Sequence, residues 1–217
     1  LFEHHFTERE RVEKEVFGAS VEAEFEVQIP IYKVNLKDLN GDDTIQFVNQ
    51  YSPRLVISYG CHKLSENFMK TVGVRFWNTH GGLSPEYRGV TTHFWPSYFL
   101  EPQMTGMTLH ETTNFLDAGE VIFQTAAPMI HGDTLHRLAA RNVEFFARKL
   151  AEKIELLNFL SLPKGKNQAG YGKVFMGKDW RPEHLRFIYE THNDAIVDKV
   201  IDGVIEGREP KLISVFN

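Results

Sequence analysis

Asn78, His80 and Asp117 are the side chains of this sequence whose types and spacing could do chemistry together. Asn78 ends the run Val74-Arg75-Phe76-Trp77-Asn78, which reads as a strand, and His80 follows two residues later. Side chains two apart on an extended chain point to one side, about 7 Å from each other at the backbone. An amide N–H and an imidazolium at that separation span one reacting carbon and can stabilise the oxyanion of a tetrahedral intermediate. A carboxylate such as Asp117 can orient the imidazole, favour its charged form and help take a proton from an attacking group. On this reading Asp117 raises the His80 pKa, provided burial does not cancel the gain. Taken singly, each residue has a plainer reading. Asn78 and the Asp117-Ala118-Gly119 tripeptide suit turns, and His80 suits a loop donor to backbone.

The elements that must position these groups follow from period and punctuation. The first twenty residues read as a polar helix, and Glu22 to Val27 alternates apolar and polar as a half-buried strand does. A helix is expected over Asp42 to Gln50, a buried strand over Leu55 to Tyr59, a short helix over Leu64 to Val72 and a strand over Val74 to Asn78. This alternation predicts an α/β fold with a mostly parallel sheet. In such a sheet the ligand crevice lies beyond the carboxyl ends of the strands, where the loops Gly60 to Lys63 and Asn78 to Gly82 emerge. Thr92 to Leu100 reads as a helix interrupted near Pro96, and Gly106 to His110 and Val121 to Ala126 read as strands with Asp117 between them. A long helix spans Asp133 to Leu160, with Asp133 or Thr134 as its cap. Pro and Gly residues from Pro163 to Gly172 mark a linker or lid before a final helix over about Pro182 to Gly203. The expected division is residues 1–160 as the catalytic domain and 161–217 as a C-terminal loop and helical extension.

The chain has 217 residues, 42% hydrophobic and 24% charged, with a formal net charge of -5. That is a globular composition, and its acidic balance argues against nucleic acid as a partner. The lysines between Leu162 and Lys178 are mixed with Gly and Pro and read as a solvated loop. No apolar run approaches the roughly 18 residues of a membrane-spanning helix. The single cysteine excludes an internal disulfide, so a cytoplasmic setting is expected. The first residues carry neither a starting Met nor the apolar core of a signal peptide, and they read as the interior of a longer chain. A homodimer stays open.

Three blocks carry a resemblance. They are Asn78-Thr79-His80-Gly81-Gly82-Leu83-Ser84-Pro85-Glu86-Tyr87-Arg88-Gly89, then Thr105 to His110 followed by Leu116 to Gln124, and, more weakly, Leu55 to Phe68. In this order and spacing they resemble the folate-dependent formyltransferase family, which includes glycinamide ribonucleotide, methionyl-tRNA and nucleotide-amino-sugar formyltransferases. The resemblance covers about Pro30 to Phe146. It implies a formyltransferase-type, Rossmann-like fold with Asn78, His80 and Asp117 as catalytic residues, 10-formyltetrahydrofolate as formyl donor, a small-molecule primary amine as acceptor, and no metal.

The resemblance further implies that the pterin slides between two loops, Cys61-His62-Lys63-Leu64 with Phe68 and Thr113-Asn114-Phe115-Leu116. A flat ring needs apolar walls while its edge takes backbone hydrogen bonds. Leu64, Phe68, Phe115 and Leu116 read equally well as core, and Cys61 as a packed neutral thiol. Arg88 suits either an anionic acceptor or a neighbouring carboxylate, and Arg141 and Glu144 fall where family members meet the acceptor. The family's first strand, small-residue phosphate loop and helix have no counterpart here, so no phosphate anchor is named. The Asn-Thr-His-Gly-Gly and Thr-Leu-His segments point to an amino sugar nucleotide as acceptor. Glycinamide ribonucleotide, water in a 10-formyltetrahydrofolate hydrolase, and a non-catalytic folate-binding role are the alternatives.

Overall fold

Helices and strands follow the periods read from the sequence, in a computed structural model that describes residues 1–22, 29–170 and 172–216. Helix α1 (Phe2–Glu22) is followed by α2 (Asp42–Asn49), β1 (Leu55–Tyr59), α3 (Glu66–Val72) and β2 (Arg75–His80). Short β3 (Tyr87–Gly89) and α4 (Trp95–Tyr98) precede β4 (Met107–Glu111), β5 (Val121–Thr125) and α5 (Leu135–Glu155). Then come β6 (Lys173–Phe175), α6 (His184–Arg186) and α7 (Ile196–Ile201). The strand expected over Glu22 to Val27 lies, beyond Glu22, outside the described residues.

Local chemistry fixes the helix ends. The Ser65 hydroxyl accepts from the Phe68 N–H at 3.0 Å and starts α3, and Gly73 ends it at a φ of 72°. Thr134 caps α5, accepting from the Arg137 N–H at 3.3 Å.

The central sheet has the order β1-β2-β4-β5 with helices flanking it. It corrects one expectation, because only β1 and β2 pair in parallel, while β2–β4 and β4–β5 are antiparallel. The reason lies in the connections. No helix separates β4 from β5, so the loop between them closes a hairpin, and the chain from Gly81 to Gly106 brings β4 back beside β2 in reverse. A second, two-stranded parallel sheet pairs β3 with β6.

Phe76 and Trp77 show how strand period builds the layers. Phe76 packs with Ile45, Leu64 and Phe68 beneath α2 and α3, while Trp77 joins Met107, Leu109, Ile122, Phe123 and Phe146. Trp77, Leu109 and Ile122 are fully buried, each worth about 1.5–3 kcal/mol of apolar transfer. The segment after Gly172 packs into the third cluster, where Phe175, Leu185, Ile188 and Ile196 meet Leu83, Tyr87, Phe94 and Trp95. The single final helix expected over Pro182 to Gly203 is instead α6, a π-turn at Phe187–Thr191, and α7. Asn193 and Asp194 adopt φ of 51° and 50° and break it, and the Asp194 carboxylate accepts from the Leu135 N–H at 2.9 Å.

Candidate active site

Strand register assembles the site. Asn78 on β2 stands opposite His110 on β4, with His80 two residues further along β2. The β4–β5 register shifts between Leu109 and His110, an irregularity of the kind that re-aims a side chain beside a site. The β4–β5 loop carries Asp117 at a φ of 47°, which turns its carboxylate under both imidazoles. Asp117 Oδ2 lies 3.4 Å from His80 Nδ1, and Oδ1 lies 3.4 Å from His110 Nε2. The Gly89 N–H of β3 donates to Oδ2 at 2.8 Å.

The carbonyl partners settle which ring nitrogens carry hydrogen. His80 Nε2 donates to the Tyr87 carbonyl at 2.7 Å, and His110 Nδ1 donates to the Glu111 carbonyl at 2.8 Å, since a carbonyl only accepts. In the neutral rings His80 Nδ1 and His110 Nε2 are therefore lone pairs, both facing Asp117. His110 Nε2 also faces Asn78 Nδ2 at 3.3 Å. Ser58 donates to Asn78 Oδ1 at 2.8 Å, which turns the amide nitrogen toward His110. Gly82 is required beside this cluster, because a Cβ there would lie 2.7 Å from His80 Nε2 and clash.

The electrostatics correct the upward shift expected for His80. Burial, the largest influence, pushes its pKa down and His110 adds to that, while Asp117 and the Tyr87 carbonyl oppose without cancelling it. His80 is 7% exposed, so it rests neutral near pH 7. Burial pushes the Asp117 carboxyl up, but the neighbouring His110 and His80 and the Gly89 N–H that donates to Oδ2 together hold it below its usual range.

These residues open onto a cavity of about 590 Å³. Asn78, His80 and Asp117 line it together with Tyr59, Gly60, Cys61 and Leu116. The lining also includes His5, Arg9 and Glu13 of α1, His136, Ala139 and Val143 of α5, and Phe94 and Trp180. Among the described residues that line the cavity, Arg9 is the one Lys or Arg side chain. Its Nε donates to Glu13 at 2.7 Å, and among the described residues neither terminal nitrogen of the guanidinium has a protein partner.

The residues expected from the sequence to hold the pterin divide among three places. Cys61 and Leu116 reach the cavity, and Thr113, Asn114 and Phe115 line a shallow groove beside it with Glu66, Met69 and Lys70. His62 and Lys63 are exposed, and Lys63 Nζ donates to the Asn114 carbonyl at 3.4 Å, so the two loops do face each other. Leu64 and Phe68 are 8% and 3% exposed and pack in the core, where they support the loop without lining the cavity. Cys61 is exposed at the rim, not packed, and burial of its thiol pushes its pKa up.

Arg88, Arg141 and Glu144, the expected acceptor contacts, stand away from the cavity wall. Arg88 reaches the Gly172 carbonyl at 3.5 Å, Arg141 is held by Asp133 and the Pro128 carbonyl, and Glu144 pairs with Arg148 at 2.6 Å on α5. Sequence reasoning passed over His110, although it stands in the Thr105–His110 block, and it missed His5, Arg9 and Glu13, which nothing in a polar helix marks as cavity-facing.

Comparison with known proteins places this geometry. The family model described as formyl transferase matches residues 8–154. A bifunctional polymyxin resistance protein, ArnA, from Wigglesworthia glossinidia brevipalpis is 29% identical over 123 residues, covering 56% of this chain and 18% of that protein. The chain thus spans under a fifth of that relative's length. The formyltransferase PseJ from Anoxybacillus kamchatkensis, solved with UDP-4,6-dideoxy-4-formamido-L-AltNAc and tetrahydrofolate, superposes with a TM-score of 0.55 at 21% identity, covering 84% of this chain and 89% of that one. The phosphoribosylglycinamide formyltransferase from Anaplasma phagocytophilum gives a TM-score of 0.55 at 23% identity, covering 69% and 75%. These structural likenesses establish the fold, an α/β formyltransferase fold with a central sheet and flanking helices.

Proposed function

From the premise that this chain belongs to the formyl transferase family, we propose that it carries a formyl group from 10-formyltetrahydrofolate to a primary amine of an amino sugar nucleotide, through Asn78, His80 and Asp117. The observation that carries this reading is the Asp117 carboxylate, held 3.4 Å from a lone-pair nitrogen of each of two buried histidines on the wall that presents Asn78.

The amine nitrogen attacks the formyl carbon, the new C–N bond forms, and the carbonyl π pair moves to oxygen. Asn78 Nδ2 offers an N–H to that oxyanion, preorganised because Ser58 already holds Oδ1. The proton of the attacking nitrogen passes to the Asp117–His80 pair. A resting neutral His80 suits this, since it becomes cationic only on taking the proton, beside a carboxylate that stabilises the charge. The bond from carbon to the folate nitrogen then breaks, and that nitrogen takes the proton, leaving a formamide and tetrahydrofolate.

Two features support a nucleotide-linked acceptor. Arg9 lines the cavity with terminal guanidinium nitrogens that are unpaired among the described residues, suited to a phosphate oxygen, and Phe94 and Trp180 offer aromatic walls for a base or sugar. The folate is assigned to the side of Cys61 and Leu116. The test is to incubate the protein with 10-formyltetrahydrofolate and a panel of amines, including amino sugar nucleotides and glycinamide ribonucleotide, and to follow tetrahydrofolate. Release that depends on an amino sugar nucleotide is expected. Release without any amine would mean hydrolysis, and none with any acceptor would sink the reading.

A further inference from the structure

We propose that Gln168, which lies beyond the family match, is a positioning residue for the Asp117 carboxylate. Its Nε2 donates to the Asp117 carbonyl at 2.7 Å and to the Gly119 carbonyl at 2.8 Å. One side-chain amide thus staples the two ends of the turn that aims the carboxylate at His80 and His110. The turn needs a staple, because Asp117 holds a left-handed φ of 47°, a conformation that is unfavourable for a non-glycine residue and persists only where surroundings fix it.

The neighbouring chain delivers Gln168 to this place. Lys166 and Val121 exchange two backbone hydrogen bonds of 2.8 Å, anchoring the segment against the start of β5 just past the turn. Further on, β6 pairs with β3, whose Gly89 N–H donates to Asp117 Oδ2 and whose Tyr87 carbonyl accepts from His80. Gly172 lets the segment approach β3, since a Cβ there would run into the Pro85 carbonyl. The segment after α5 therefore touches the Asp117 turn from one side and the backbone partners of Asp117 and His80 from the other. Gln168 is the one of these contacts made by a side chain, and so the one that substitution can remove without breaking backbone pairing.

The inference rests on reading the Asp117–His80 pair as the proton carrier. The expected outcomes follow from what each variant can donate. Gln168→Glu keeps the shape and replaces the donor with an acceptor against two carbonyls, and Gln168→Leu removes the polar group. Both should lower kcat at least tenfold with KM for folate within about twofold of the parent. Gln168→Lys, which restores a donor nitrogen, should recover most of kcat. A carboxylate that wanders from His80 raises its pKa less, so the acid limb of kcat should also move to lower pH in the Leu variant, which adds no charge. Normal kcat in folded Gln168→Glu and Gln168→Leu, with an unmoved limb in the Leu variant, would overturn the proposal, as would losses that merely follow the folded fraction. If those variants fail to fold, the side-chain amide protons of Gln168 in the unaltered protein decide. Slow exchange with solvent supports the staple, and free exchange refutes it. The same measurement separates this proposal from the transfer reading, because it needs no turnover.

Discussion

Lowering the pH from 7.5 to 5 should cost this fold about 3 to 5 kcal/mol, through histidines that burial holds neutral. Burial is the main influence that pushes His5, His93 and His136 down to about 4. His5 and His136 are 7% and 8% exposed, and their ring nitrogens lie 3.2 Å apart beside the Tyr189 hydroxyl. A histidine whose folded pKa lies under its unfolded value near 6.5 contributes stability that is fully present above that value and is lost as pH falls toward 4. At pH 5 each such group has lost about 2 kcal/mol. Because a charge on either His5 or His136 disfavours a charge on the other, their joint loss is less than twice that. Asp194 acts the other way, since burial raises its carboxyl to about 6. Its protonation in the folded state returns about 1 kcal/mol by pH 5. Urea unfolding at the two pH values, compared by midpoint and slope, measures the difference. A His5→Asn, His136→Asn double variant starts less stable but should lose about 2 to 3 kcal/mol less on acidification. A loss below about 1 kcal/mol in the parent, or equal acid sensitivity in the double variant, would refute the assignment of neutral buried rings.

Asn78→Ala and Asp117→Ala should each lower kcat at least about a hundredfold in folded protein, the scale of a lost oxyanion donor or proton carrier, and near-normal turnover in either would remove it from the mechanism. The acid limb of kcat should fall below pH 6.5, because His80 must be neutral to receive the proton and its pKa is depressed; a limb above pH 7 would contradict this. His110→Phe leaves Asp117 without one of the partners that hold its carboxyl down, so kcat should drop about tenfold or more while KM for the acceptor stays near normal; a change confined to KM would argue for a substrate contact. Arg9→Gln should raise KM for a nucleotide-linked amine about tenfold, the scale of one charge-assisted hydrogen bond, with KM for folate unchanged; an unchanged acceptor KM would place the anion elsewhere.

The elements that announce themselves by period were legible: β1, β2, β4, β5 and α5 lie within a few residues of where apolar spacing and caps put them. Sheet direction was not, because alternating helices and strands imply parallel pairing only while each connection contains a crossover, and the Asp117 loop contains none. Strands β3 and β6, three residues each, are too short to show a period, and they exist because they pair with each other. The break at Asn193 and Asp194 depends on a hydrogen bond to Leu135, a partner 59 positions away that no local pattern reveals. At the site, the i, i+2 relation of Asn78 and His80 could be read directly, whereas the direction of the His80 shift could not. That shift depends on burial, which encloses the ring only in the folded chain and leaves it 7% exposed.

The placement of Cys61 makes the protein its own reporter. It is the single thiol in the chain, exposed at the cavity rim on the loop assigned to the pterin, and held protonated by a raised pKa. A thiol-selective reagent should therefore label one position only, slowly at neutral pH and faster as alkali generates thiolate. Any ligand seated against that loop would shield it, so the labelling rate, titrated against folate, reads occupancy of that part of the cavity without requiring a catalytic event.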